Sequence, residues 1–168
     1  MKFCDFLATI EVAPADMPME DIFSKAWGMA WEFLSKNPYA WADLNLQLHW
    51  GHVEVAQVYI LDALLGDRVP EFENLDAEIL ASIEKNGQAS FNMAQWRVLD
   101  PRSHCGTTMC RAGWAVELGD AKGRRLRAAA TYKFAGAIIY LRNTGRIPNF
   151  FENDERAMAD MRRGAQGE

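Results

Sequence analysis

From residue 74 onward the sequence contains several segments of the same kind. Each begins with a capping residue, continues with apolar residues at helical spacing, and is followed by residues that end a helix. The pattern predicts helices over 76–86, 110–118 and 124–141, and a last helix after Asn153. Asn74 or Asp76 can cap the first of these helices. The last one carries acids in its first turn and Arg162 and Arg163 in its final turn, which suits the helix dipole at both ends. We therefore expect residues 71–168 to form a helical part.

The first 70 residues mix two periodicities. β-Branched and apolar residues at 6–12, and strict apolar–polar alternation at 43–50, predict short strands. Residues 53–60 fit either a further strand or the start of a helix that runs to Leu65. The fold class predicted for the whole chain is α+β and predominantly α, with a few short strands in the N-terminal part.

A tryptophan-rich helix is predicted between these strands. Apolar residues recur at helical spacing from Ile22 to Leu34, and Asn37-Pro38 ends the run. Trp27 and Trp31 are one turn apart on the same stripe. Since an amphipathic helix normally buries its apolar face, we expect both indoles to pack in the core.

Length and composition favour a globular protein. The chain has 168 residues, of which 49% are apolar and 24% are charged, values typical of globular domains. No apolar run reaches the roughly 18 residues that a membrane span needs, so we expect no membrane partner. A soft boundary near 66–73 predicts an N-terminal α+β part, 1–70, and the helical part, 71–168, unless the two form one continuous domain.

Charge is unevenly distributed along the chain. The formal net charge is −5, yet residues 110–146 hold eight basic and two acidic side chains. Such a run is usually a solvated face, but a phosphate or an acidic partner could also bind it. The candidate ligand-binding residues are therefore Lys122, Arg124, Arg125 and Arg127, placed near a helix N-terminus. The negative net charge and the lack of a groove-reading motif argue against direct binding to nucleic acid.

Three cysteines occur, at positions 4, 105 and 110. An odd count, together with an N-terminus that lacks a signal-peptide layout, predicts free thiols in a reducing compartment, and hence the cytoplasm of the host cell.

The least ordinary segment of the sequence is 104–116. Thr107 or Thr108 can cap a helix that begins near Cys110, and a thiol at a helix N-terminus has a lowered pKa. Cys110 is therefore a candidate nucleophile, with His104 or a more distant histidine as its base. A buried structural thiol is the more common role for a free cysteine, and we favour it.

A metal site is a second interpretation of the same segment. His49, His52, Cys105 and Cys110 would make a two-cysteine, two-histidine set suited to zinc. Their spacing is wider than in standard zinc knuckles, so we expect no cofactor and keep zinc as the alternative. A reversible disulfide between Cys105 and Cys110 has no specific support.

The segment Cys105-Gly-Thr-Thr-Met-Cys-Arg-Ala-Gly-Trp-Ala115 resembles the core of a family of small proteins from bacteriophages, prophages and related bacteria. Trp96, the run 135–140 and Pro148-Asn-Phe-Phe151 extend the resemblance over about residues 74–163. Met109 and Arg97 stand where histidines are common in that family. The resemblance implies a phage-associated origin and carries no activity.

Three functions remain open from the sequence. The favoured one is a non-enzymatic accessory protein of a phage or mobile element that binds a host or phage macromolecule, with a protein as the expected partner, in the manner of an inhibitor of a defence system. An acidic N-terminal part could meet a basic nucleic-acid-binding groove on such a partner. The alternatives are a thiol-dependent enzyme that uses Cys110, and a phosphate- or nucleotide-binding module.

Overall fold

The computed structural model of the chain describes residues 1–37, 51–103 and 106–167. The chain divides into two compact units, Met1–Val69 and Pro70–Glu168. Eight α-helices and one two-stranded antiparallel sheet occur in the described residues, which confirms the predicted class of α+β and predominantly α. None of the helices described has the length and apolar character required to cross a bilayer.

The described part of the first unit contains three α-helices. They are α1 (Phe3–Leu7), α2 (Met19–Lys36) and α3 (His52–Leu65). Helix α2 packs against α3 and buries Ile22, Ala26, Ala30 and Phe33, where the two alanines permit a close approach. The stretch 53–60, which fitted two structures, is therefore helical.

The strand predicted at 6–12 is wrong. Phe6 lies in α1, and its ring stacks on that of Phe33 with 4.6 Å between centroids, while the ring of Phe3 meets Phe33 edge-on at 5.2 Å. These aromatic contacts bind the short helix to α2 and override the strand preference of the β-branched residues that follow. The strand predicted at 43–50 lies outside the described residues.

The second unit is built mainly from helices, as predicted. Its elements are α4 (Leu75–Asn86), β1 (Val98–Leu99), β2 (Thr107–Thr108), α5 (Arg111–Leu118), α6 (Asp120–Ala129), α7 (Tyr132–Thr144) and α8 (Asp154–Ala165). The Asn74 side chain accepts a hydrogen bond from the Ala77 N–H at 3.0 Å, and Asn153 accepts one from the Arg156 N–H at 2.9 Å. The predicted asparagine caps at both helices are therefore confirmed.

A single helix over 124–141 is wrong. The chain forms α6 and α7 instead, because Ala130 is extended and the Thr131 hydroxyl caps α7 by accepting from the Phe134 N–H at 3.4 Å. Helix α7 then packs against α5 so closely that a Cβ at Gly136 would lie 2.5 Å from the Cβ of Ala112. The break between α6 and α7 allows this contact and also opens a groove described below.

Candidate functional site

Cys110 caps α5. The predicted caps, Thr107 and Thr108, belong to β2, and it is the Cys110 sulfur that accepts the Gly113 N–H at 3.4 Å. The thiol is fully buried, and this burial raises its pKa to about 11 although backbone N–H groups of α5 oppose the shift. The lowered pKa expected from the helix N-terminus is therefore wrong, because desolvation outweighs the dipole.

The environment of Cys110 favours a structural role over a nucleophilic one. A thiol with a pKa near 11 is neutral at pH 7, and in the described part of the chain the Cys110 side chain has no exposed surface that a substrate could contact. His104, the candidate base, lies outside the described residues.

Arg111, the residue after Cys110, has no exposed surface and is the centre of a buried polar network. Its guanidinium donates to Asp76 at 2.9 Å, to Asp160 at 2.5 Å and to the hydroxyl of Tyr140 at 2.8 Å. The Tyr140 hydroxyl in turn donates to Asp76 at 2.8 Å, and Arg146 donates to Asp160 at 2.8 Å. We call these five residues the Arg111 network. It joins α4, α5, α7 and α8 through one cation.

Electrostatics within the network favour fixed charge states. Burial raises the pKa of the Tyr140 phenol, and this effect outweighs the opposing charge of Arg111. Burial opposes ionisation of Asp160, but the hydrogen bond from Arg111 lowers the pKa of this carboxyl overall. Tyr140 is thus neutral and Asp160 ionised near pH 7, which suits a rigid structural core.

Cys110, Gly113 and Trp114 contact the stretch 90–96 and hold it against α5. A Cβ at Gly113 would lie 2.0 Å from the carbonyl oxygen of Trp96, so only glycine permits this approach. The Cys110 N–H donates to the carbonyl of Gln95 at 2.6 Å, and the Trp114 indole donates to the carbonyl of Ser90 at 3.2 Å. The segment is therefore a scaffold that fixes the position of Trp96.

Trp96 lines a surface groove of about 670 Å³, which we call the Trp96 groove. Its other lining residues come from the end of α6 and the start of α7, and they include Arg127, Thr131, Tyr132 and Lys133. The Arg127 guanidinium lies 5.2 Å from the centroid of the Tyr132 ring, within cation–π distance. Two cations and two aromatic rings thus face one open volume.

Trp96 also lines a second cavity of about 440 Å³ with Phe150, Phe151 and Glu152. The rings of Trp96 and Phe151 meet edge-on with 6.0 Å between centroids. This contact adds to the backbone contacts of the loop, so the indole is held from two directions beside the groove.

The four predicted ligand-binding residues all lie on α6, but they do not act as one set. Arg127 lines the Trp96 groove, whereas Lys122, Arg124 and Arg125 are exposed and are absent from its lining as described. Arg124 forms an ion pair with Asp120 at 2.6 Å. The helix N-terminus beside Arg127 is that of α7, not that of the helix carrying the cluster, because the chain breaks at Ala130.

Of the predicted zinc set, the structure describes only His52 and Cys110. His52 begins α3 in the first unit and Cys110 caps α5 in the second, while His49 and Cys105 lie outside the described residues. Within 1–37, 51–103 and 106–167, no group of three or more His, Cys, Asp or Glu side chains is arranged to hold a metal ion.

The buried position predicted for Trp27 and Trp31 is wrong. Their side chains are 43% and 54% exposed, and their rings meet edge-on at 6.1 Å. Helix α2 has two adjacent apolar stripes, and only the one described above is buried. The other consists of Phe23, Trp27, Trp31 and Leu34, and we call it the tryptophan stripe. Phe23 and Leu34 at its ends are half-buried.

Comparisons of the chain with family models, curated proteins and solved structures give no match. The functional candidates therefore depend on geometry alone. Sequence patterns missed Tyr132 and Lys133 as groove residues, since a single helix was predicted across 124–141. The threonine before them, a capping residue type, was the one local signal of a helix start there.

Proposed function

We propose that the protein is a non-enzymatic binding protein of a phage or mobile element, and that the tryptophan stripe of α2 docks onto a basic, nucleic-acid-binding protein of the host. The observation that carries the proposal is the exposure of Trp27 and Trp31 on one helix face. Large exposed apolar patches mark interaction surfaces, and tryptophan is enriched among the residues that dominate binding energy.

Gly28 supports the use of this face. It follows Trp27 in α2, beside the tryptophan stripe, and a Cβ added there would meet nothing within 4 Å. Glycine in a helix interior costs about 0.5–1 kcal/mol relative to alanine. Since no contact in the described structure requires this glycine, close approach of a partner to the helix backbone offers a reason for it.

Charge indicates the kind of partner. Residues 1–69, the first unit, carry ten acidic and four basic side chains, for a net charge of −6. An acidic unit with an exposed aromatic stripe is complementary to an apolar groove that has a basic rim. Basic grooves of this kind occur on proteins that bind nucleic acid through its phosphates. The resemblance of residues 74–163 to phage-associated proteins supports a host target, such as a defence effector.

The alternative of a thiol-dependent enzyme has less support. Cys110 is buried, its thiol is neutral at pH 7, and its sulfur is occupied as the cap of α5. The residues around it serve the scaffold described above. Binding rather than catalysis is therefore the function that the geometry favours.

The test begins with affinity capture from a bacterial lysate by the wild-type chain and by the double variant Trp27→Ala, Trp31→Ala. A captured basic protein is then purified and titrated with both chains. We expect the double variant to bind at least about 30-fold more weakly, the equivalent of one hot-spot residue. Raising NaCl from about 50 to about 500 mM should weaken the wild-type complex at least about tenfold, since the steering charges are screened.

The control is Leu99→Ala, which removes the most exposed large apolar side chain of the second unit, 85% exposed, and should leave binding unchanged. Equal binding by the double variant, or binding that does not respond to salt, would contradict the proposal. Light scattering adds a further check, because a homodimer that the double variant abolishes would show that a second copy of this chain covers the stripe instead.

A further inference from the structure

The Trp96 groove has the composition of a site for a small aromatic anion. Its volume of about 670 Å³ falls in the range of sites that bind small molecules. Its described lining residues include the cations Arg127 and Lys133 and no carboxylate. The rings of Trp96 and Tyr132 line the same volume, so that charge and aromatic surface are adjacent.

We propose that this groove binds a mononucleotide, with the phosphate at Arg127 and Lys133 and the base against the indole of Trp96. A guanidinium binds phosphate through two parallel hydrogen bonds, and Arg127 is already held over the Tyr132 ring. Tryptophan is a stacking surface for any base, because every base has a π-face.

The position of Trp96 before ligand binding supports this assignment. Gly113 and Cys110 fix the backbone of the loop that carries it, and Phe151 packs against its ring. A preorganised aromatic side chain loses little conformational entropy when a ligand stacks on it. Cys110 and Gly113 therefore do more than stabilise the unit, since they hold the stacking residue Trp96 at the edge of a basic groove.

This site is independent of the proposed function. It lies in the second unit and shares no residue with the tryptophan stripe of the first. Failure of one proposal therefore leaves the other standing, and the variant Trp27→Ala, Trp31→Ala should bind nucleotide as the wild type does.

The test is isothermal titration calorimetry of the full chain with the four 5′-mononucleotides, adenosine, ribose 5-phosphate and inorganic phosphate. At least one mononucleotide should bind with a Kd below about 1 mM, and at least about tenfold more tightly than the ligands that lack a base or a phosphate. Binding should also shift the NMR signal of the Trp96 indole N–H, which Trp96→Phe identifies by its disappearance.

Matched variants on one helix test the phosphate contact. Arg127→Gln should weaken nucleotide binding about tenfold, the equivalent of one charge-assisted hydrogen bond. Arg125→Gln makes the same change of charge at an exposed position outside the groove lining and should have an effect of less than about twofold. Both arginines are exposed, so neither change should disturb folding, which circular dichroism verifies.

The stacking contact is tested by Trp96→Ala, which should weaken binding about tenfold, whereas Trp96→Phe keeps a ring and most of the affinity. Three results would each overturn the proposal. They are the absence of binding by every mononucleotide, equal losses from Arg127→Gln and Arg125→Gln, and binding of a ten-residue oligothymidylate at least about tenfold more tightly than thymidine monophosphate. The last result would assign the groove to single-stranded nucleic acid.

Discussion

Replacement of Arg111 by methionine should destabilise the second unit more than any surface change. The methionine side chain has a similar length but no donor, so Asp76, Asp160 and Tyr140 each lose a hydrogen bond. Asp76 is only 2% exposed and would keep the Tyr140 hydroxyl and an ion pair with Arg146 at 3.5 Å. Loss of one partner from a buried ion pair costs about 3–5 kcal/mol.

The assay is chemical and thermal unfolding followed by circular dichroism. For a unit of about a hundred residues, a loss of about 4 kcal/mol lowers Tm by about 20 °C. Arg163→Met is the matched control, because Arg163 also pairs with Asp160, at 3.3 Å, but from an exposed position. Its loss should cost less than about 1 kcal/mol.

A double variant distinguishes the cost of losing the ion pair from the cost of leaving a buried carboxylate without its partner. Asp76→Asn added to Arg111→Met removes the buried carboxylate that the single change leaves without its guanidinium partner, so the double variant should be more stable than additivity predicts. The reasoning is refuted if Arg111→Met unfolds within about 1 kcal/mol of the wild type, or if the two changes are simply additive.

Three further outcomes are expected. Gly28→Ala should raise the free energy of unfolding by about 0.5–1 kcal/mol, because nothing lies near the added methyl group. Gly113→Ala should lower it by about 2 kcal/mol or more, because its methyl group would lie 2.0 Å from a backbone oxygen. Equal effects of the two changes in denaturant titrations would contradict this prediction. Peptide mapping after alkylation at pH 8 should find Cys4 modified and Cys110 protected until the protein unfolds, and similar rates would restore Cys110 as a reactive thiol. The lowered pKa of Asp160 stabilises the fold above about pH 4, and this contribution is lost as the pH falls. In Asp160→Asn the free energy of unfolding should therefore decrease less steeply on acidification than in the wild type. An unchanged pH dependence would contradict this prediction.

Local signals predicted those parts of the fold that depend on local chemistry. Asparagine caps at Asn74 and Asn153 were visible because capping involves one side chain and the first turn that follows it. The break at Ala130 was not recognised, since Ala128 and Tyr132 continue a helical spacing across it. The capping residue Thr131 is a local signal of the second helix, but the packing of α7 on α5, which no local pattern encodes, favours two helices over one.

Burial of the tryptophans could not be read from periodicity. Helix α2 has apolar residues over two adjacent stripes, and either could face the core. The stripe with Ala26 and Ala30 is the one that α3 covers, because small side chains let two helices approach. A spacing of three and four residues identifies apolar faces, but it does not say which face has a partner within the chain.

The described residues 106–116 show that an unusual sequence motif does not have to be a catalytic site. The position of Cys110 at a helix N-terminus suggested an activated thiol, because the positive end of the helix dipole favours a thiolate. In the folded chain Arg111 is engaged by two aspartates and a tyrosine, and the thiol is fully buried, which disfavours its charged form. Desolvation is a property of the whole packed unit. The segment contributes to the proposed nucleotide site only through Trp96, because Cys110 and Gly113 hold the loop that carries this residue.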